Sequence, residues 1–267
     1  MKIDRGDTEI AAAVVGDSGS PVLLLHGLGG SHEAWPGLID GLARSHRVVA
    51  MDLRGSGGSP LGDEPLSFAL LADDAAAVLD ALAFDNAHVI GHSLGGVVTQ
   101  ELLVRHPGRC SSAVLVSTSS KVGEKAAQSW LRLADIIEAR GLSDSAAGRT
   151  RAFSDEFVEQ QPGIIEALGR LAARSDRRGY AAQARIAASY DYTERLCRIT
   201  QPVLVIQGLA DRLTSPGGSV ILDRFLPHSR LEMLEGHGHN IHIEMGDRFV
   251  EMAESFFAGI DAGERTD

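Results

Sequence analysis

A serine at position 93 stands between two glycines, in Gly91-His92-Ser93-Leu94-Gly95. Ala87-His88-Val89-Ile90 before it reads as a strand, and Leu94-Gly95-Gly96-Val97-Val98 after it opens a helical pattern. A strand that turns directly into a helix drives side chains two residues either side of the corner into each other. Glycine is therefore required at 91 and 95. The serine at the corner is held in a strained conformation with its hydroxyl exposed above a sheet. Such a hydroxyl suits attack on an acyl carbon, provided a base removes its proton. Ten histidines are available, and His237, His239 and His242 crowd the segment after the apolar run Leu231–Leu234. A carboxylate must orient the imidazole, and Asp211 stands just beyond the run Val203–Ile206, in Gln207-Gly208-Leu209-Ala210-Asp211. Attack leaves negative charge on the carbonyl oxygen, and the backbone N–H of Leu94, at a helix N-terminus, is a preorganised donor for it. The plainer readings are that Asp211 is a turn residue and that the histidines form a surface cluster open to adventitious metal.

The elements that must position these groups alternate along the chain. Ile10–Val15, Val22–Leu25, Arg47–Met51, Ala87–Ile90, Ala113–Val116, Val203–Ile206 and Leu231–Leu234 read as strands. Several are near-continuous Val, Leu and Ile, the pattern of a sheet covered on both faces. Ser67–Ala83, Leu94–Arg105, Pro216–Phe225 and Asp247–Phe257 carry apolar residues at helical spacing. This alternation predicts an α/β fold, a mostly parallel twisted sheet with helices on both faces. Residues 121–198 break the rhythm: no strand is evident, and Glu124–Arg140, Ile164–Arg174 and Gly179–Ser189 look helical. They are expected to form a helical lid inserted into a core made of 1–120 and 199–267. The insertion carries a net charge of +2 and the remainder −13. Solvated helix faces explain that difference, as would lid arginines that meet an anionic substrate.

The chain of 267 residues has a net charge of −11, which disfavours nucleic acid and anionic membrane surfaces as partners. Hydrophobic residues at 44% and charged residues at 23% fit a globular protein rather than a disordered one. Cys110 and Cys197 cannot staple a chain of this length, so both are expected to be reduced packing residues. MKIDRGDTEI lacks the apolar core of a signal peptide, and no run is long enough to span a bilayer. A soluble cytoplasmic protein acting on a small molecule is the expectation, with self-association left open. The terminal AGERTD reads as a frayed tail.

Around Ser93 the sequence resembles the α/β-hydrolase superfamily, and the resemblance covers nearly the whole chain. His26-Gly27-Leu28-Gly29-Gly30, after the Val22–Leu25 strand, is similar to the segment where that family builds half its oxyanion hole. Asp52-Leu53-Arg54-Gly55-Ser56-Gly57-Gly58-Ser59 resembles its D-x-R-G-x-G-x-S segment, and Gly238-His239 with Glu244 its G-H-x4-E segment. The resemblance implies a triad of Ser93, Asp211 and His239, with the backbone N–H groups of Leu28 and Leu94 as oxyanion donors. His237 is two residues early for this pattern, and His242 falls inside it. Some relatives carry the acid one strand earlier, where this chain has only Ser117-Thr118-Ser119-Ser120. His26 is expected to order its loop, His92 to be a permissive position, and Arg54 to hold the loop near Asp52.

Gly179-Tyr180-Ala181-Ala182, Asp191–Leu196 and Ile199–Pro202 look like the corresponding run of 3-oxoadipate enol-lactonase-like hydrolases. The resemblance implies hydrolysis of a small ester or lactone through an acyl-enzyme on Ser93, without metal or cofactor. Trp130 is a candidate to line the substrate pocket, against the commoner reading of core packing. Two other readings share the scaffold: a carbon–carbon hydrolase of vinylogous diketones, and a non-catalytic ligand receptor.

Overall fold

The computed structural model describes residues 1–141 and 150–263. The strands are β1 (Lys2–Asp4), β2 (Glu9–Val15), β3 (Pro21–Leu25), β4 (Arg47–Met51), β5 (Ala87–His92), β6 (Cys110–Val116), β7 (Val203–Gly208) and β8 (Ser229–Leu234). They form one eight-stranded sheet in the order β1-β2-β4-β3-β5-β6-β7-β8. β1–β2 and β2–β4 pair antiparallel. Every pairing from β4 to β8 is parallel. The helices are α1 (Leu38–Leu42), α2 (Phe68–Ala81), α3 (Leu94–Arg105), α4 (Glu124–Arg140), α5 (Asp155–Gln160), α6 (Pro162–Ala173), α7 (Arg177–Ala187), α8 (Pro216–Phe225), α9 (Ile241–Met245) and α10 (Asp247–Asp261).

The period of two along each strand divides the core into two layers. Leu23, Leu25, Val49, Met51 and Val89 face α2 and α3, packing with Leu71, Leu79, Val98 and Leu102. Their neighbours Val22, Leu24, Val48, Ala50 and Ile90 face α1 and α10, packing with Leu38, Phe249 and Phe257. All ten strand side chains are fully buried, which is why these runs carry no alternation of polarity.

All seven strands and four core helices expected from the sequence are present. β1, α1, α5 and α9 were not anticipated: each is three to six residues long, too short to show a period. Ser67 lies just outside α2 as its cap, its hydroxyl accepting the Leu70 N–H at 3.1 Å. Cys110 is buried, as expected. Cys197 corrects the expectation, because it is exposed in the turn Thr193–Arg198 and packs no core. Of the tail expected to fray, residues 264–267 lie outside the described part. Among the described residues, no helix is long and apolar enough to cross a membrane.

Between β6 and β7 the described residues form α4 to α7 and no strand. This insertion is fastened to the core where α7 crosses the loop after β4. Gly179 meets Gly55 backbone to backbone, with no space for a side chain on either. Beside them the Gln183 amide donates to the Arg54 carbonyl and the Ser56 hydroxyl, both at 2.8 Å.

Candidate active site

Ser93 sits where β5 turns into α3, with φ 52° and ψ −112°. That positive φ in a non-glycine residue is a local strain held by its surroundings. Ser93 N–H donates to the Val116 carbonyl at 2.9 Å, and the Thr118 hydroxyl donates to the Ser93 carbonyl at 2.9 Å. The expected crowding at the corner is real: a Cβ on Gly91 would lie 2.6 Å from the Gly95 carbonyl oxygen. One on Gly95 would overlap the Leu25 carbonyl of β3, a contact between elements that the local pattern does not reveal.

Asp211 follows β7, and His239 lies in the loop between β8 and α9. His239 Nδ1 donates to Asp211 Oδ2 at 2.9 Å, and both side chains are buried. The other carboxylate oxygen accepts the N–H groups of Leu213 at 2.7 Å and Thr214 at 2.9 Å. Burial pushes the Asp211 carboxyl up, but the His239 hydrogen bond and charge and these backbone donors together hold it below the usual carboxylate range. His237 is partly exposed, 3.7 Å from Glu244. His242 is packed against Trp35 and His92, and burial, then the nearby His239 charge, push it down to about 3. Of the three histidines, His239 is therefore the one joined to Asp211. Glu244 accepts the N–H groups of Gly238 and Ser154, both at 3.0 Å, which ties the histidine loop to the insertion.

No hydrogen bond joins the Ser93 hydroxyl to the His239 imidazole among the described residues. Bonds of this kind commonly tighten only once substrate is bound. The two loops are connected instead through His92, whose ring lies 4.8 Å from that of His239. Its Nε2 is 3.1 Å from the His239 carbonyl oxygen. A carbonyl only accepts, so the His92 proton is on Nε2. Burial drives this imidazole well below its ordinary value, and His242 and His239 push it the same way, so it stays neutral. Sequence reasoning passed over His92 as a permissive position, and its only signal was adjacency to the serine.

The loop after β3 closes the other side. A Cβ on Gly27 would lie 3.3 Å from Ser93 Cβ, so this glycine lets the backbone reach the serine. His26 orders the loop as expected. Its Nδ1–H donates to the Gly27 carbonyl at 2.7 Å, and its Nε2 accepts the Leu53 N–H at 3.0 Å. Arg54 is also structural, but its partners differ from the expectation. It grips Asp74 and Asp7, while Asp52 accepts from His32 and from the Gly58 N–H.

Leu28, Ser93, Leu94 and Trp130 border one cavity of about 710 Å³. A second, of about 380 Å³, lies across Leu28 and Leu213, which border both. Neither is lined by an arginine among the described residues, which agrees with solvated helix faces rather than with arginines that meet a substrate. Arg185 pairs with Asp135 and Glu138, and Arg195 with Glu101. The cationic residues on the larger cavity are Lys121 and Lys125, and Lys121 is bound to Asp191. Among the described residues no three His, Cys, Asp or Glu side chains cluster to hold a metal ion.

A strand–serine–helix corner opposite an Asp–His pair, on a sheet of this order, defines a class. The family described as alpha/beta hydrolase fold matches residues 20–245, and the chain belongs to it. The chain is 32% identical over 251 residues to the 3-oxoadipate enol-lactonase 2 of Acinetobacter baylyi, covering 93% of each. It is 30% identical over 254 residues to the pimeloyl-[acyl-carrier protein] methyl ester esterase of Aeromonas hydrophila, covering 89% of this chain and 95% of that one. The enol-lactonase from Burkholderia xenovorans shares the fold, with a TM-score of 0.91 at 24% identity, over 97% of this chain and all of that one. These relatives support a hydrolytic activity.

Proposed function

We propose that the protein is a serine hydrolase that cleaves a small carboxylic ester or lactone through an acyl-enzyme on Ser93. The buried hydrogen bond from His239 to Asp211, 2.9 Å long, carries this reading. It keeps a proton on Nδ1 and leaves Nε2 to act as base. Nε2 takes the Ser93 hydroxyl proton as Oγ bonds to the acyl carbon, and the carbonyl electron pair moves onto its oxygen. The N–H groups of Leu28 and Leu94 receive that oxyanion, each such donor being worth about 10²–10³ in rate. When the carbonyl re-forms, the C–O bond to the leaving group breaks, and the leaving oxygen takes the proton from Nε2. In a lactone that oxygen stays tethered to the acyl chain. Water, losing a proton to the same nitrogen, then attacks the acyl carbon. As the carbonyl re-forms, the C–Oγ bond breaks, Ser93 Oγ takes the proton back from Nε2 and the acid is released.

The α4–α7 insertion serves as the lid in this reading. Its support is that Trp130, Leu168 and Tyr180 of that insertion line the two cavities. The enol-lactonase and methyl ester esterase relatives support ester or lactone as the bond broken.

A fluorophosphonate probe tests the proposal. The native protein should be labelled once per chain, and Ser93→Ala not at all. An unlabelled native protein overturns the reading, and labelling without turnover of any ester or lactone favours a receptor.

A further inference from the structure

The two cavities differ in size and in the charged residues that border them. The larger is bordered by Ser93 and Leu94, by Ser119 and Thr214, and by Lys121, Glu124 and Lys125. The smaller is walled by Leu133, Phe153, Ile165, Leu168, Leu171 and Ile243, with no Lys, Arg, Asp or Glu among its described residues. Its histidines have their polar atoms mostly spoken for or buried. His26 spends both ring nitrogens on backbone groups, and His92 gives its N–H to the His239 carbonyl. The Nδ1 of His242 is buried without a partner among the described residues, away from the cavity surface. A cavity of roughly 150 Å³ with such walls takes up benzene, so about 380 Å³ accommodates an aryl group or a medium alkyl chain.

The reaction decides which half of an ester goes where. The leaving oxygen must lie beside the imidazole that protonates it, and the acyl carbon beside Ser93. Asn240, His242 and Ile243, which follow His239 in its loop, line the smaller cavity, and no residue of 235–245 lines the larger. Ser93 borders only the larger. We infer that the smaller cavity is a leaving-group site for an apolar alcohol, while the larger holds the acyl part. The inference rests on the serine-hydrolase reading and narrows its substrate to an acyclic ester of an aryl or medium-chain alkyl alcohol. Leu28 and Leu213 stand between the two halves.

The experiment uses two series of esters on the native protein. Straight-chain alkyl acetates from methyl to hexyl lengthen the alcohol at nearly constant leaving-group chemistry, and methyl esters from acetate to hexanoate lengthen the acid. The alcohol series should gain about two- to fourfold in kcat/KM per methylene until the site is filled, and the acid series should gain less. Ala172→Trp, which fills the smaller cavity, should bring the hexyl-to-methyl ratio of the acetates down toward one. Leu168→Ala, which enlarges it, should move the optimum to a longer alcohol; it keeps the test open if the tryptophan variant does not fold. A flat alcohol series, or variants that alter the acid series instead, overturns the assignment while the serine mechanism stands. A native protein that neither takes the fluorophosphonate label nor turns over any ester overturns both.

Discussion

The imidazole of His92 donates its Nε2–H to the backbone carbonyl of His239 at 3.1 Å, across 147 positions of sequence. This bond joins the corner that carries Ser93 to the loop that carries His239. The hydrogen bond to Asp211 fixes the ring of His239 from one side, and His92 fixes its main chain from the other. A Cβ on Gly27 would press on His92 Nδ1 at 2.8 Å, so the loop that carries Leu28 rests on the same ring. Three segments of the site thus share one neutral, buried histidine.

If His92 positions the base, its removal should lower kcat more than it changes KM. His92→Leu is expected to lose about tenfold to a hundredfold in kcat toward an activated ester, the usual consequence of a misplaced catalytic group. His92→Gln, which keeps an amide N–H near the same place, should recover much of the loss. Labelling by a fluorophosphonate should slow in parallel. Equal activity of the leucine and glutamine variants would show that the hydrogen bond does no positioning.

Asp211→Asn tests the acid separately. The N–H groups of Leu213 and Thr214 can still reach the amide oxygen, so the loop should keep its shape. The charge that stabilises the imidazolium is lost and the tautomer of His239 is no longer fixed. A fall of about 10³–10⁴ in kcat is expected with a near-native melting temperature. Activity within about tenfold of native would assign the orienting role elsewhere.

How much was legible follows from where the constraints act. Gly91 announces a corner because its crowding against Gly95 and Thr99 is local, with the strand and helix visible on either side, whereas Gly95 is crowded by the Leu25 carbonyl of β3. Asp211 is legible because the alternative position, Ser117 to Ser120, holds no carboxylate. His92 is not, because its partner is brought to it only by the order of β5, β6, β7 and β8. The choice between solvated faces and substrate-binding arginines in 121–198 was not legible for a related reason: a count of charge says nothing about pairing, and Arg185 and Arg195 spend theirs on nearby acids. The division into two cavities depends on residues scattered between His26 and Ile243, so no pattern in one segment contains it.

Arg54 is the next test, of stability rather than chemistry. Its Nε and Nη2 bond the fully buried Asp74 at 2.6 and 3.1 Å, and its Nη1 bonds Asp7. Arg5 also reaches Asp74, at 2.8 Å, but is itself partly exposed. Arg54→Ala would leave the Asp74 carboxylate buried with much of its compensation gone, at a cost of about 3–5 kcal/mol. Urea unfolding should show a lower midpoint, and the double variant with Asp74→Ala should cost less than the sum of the two single changes. Strict additivity would mean that the two side chains are not coupled.

Acid should destabilise the fold through its buried histidines. His26, His88, His92 and His242 are all pushed below the ordinary histidine range, chiefly by burial, and His242 to about 3. A histidine with a depressed folded-state pKa binds fewer protons folded than unfolded, so its contribution to stability is present above about pH 6.5 and is lost as the pH falls below it. For His242 the loss runs from 6.5 toward 3 and reaches roughly 2–3 kcal/mol near pH 4.5, above the range where ordinary Asp side chains protonate. The melting temperature should therefore drop by several degrees between pH 7 and pH 4.5. His242→Gln, which cannot titrate, should show a shallower decline over that interval even if its starting stability is lower. Identical slopes for the native protein and the variant would place the acid sensitivity in other groups.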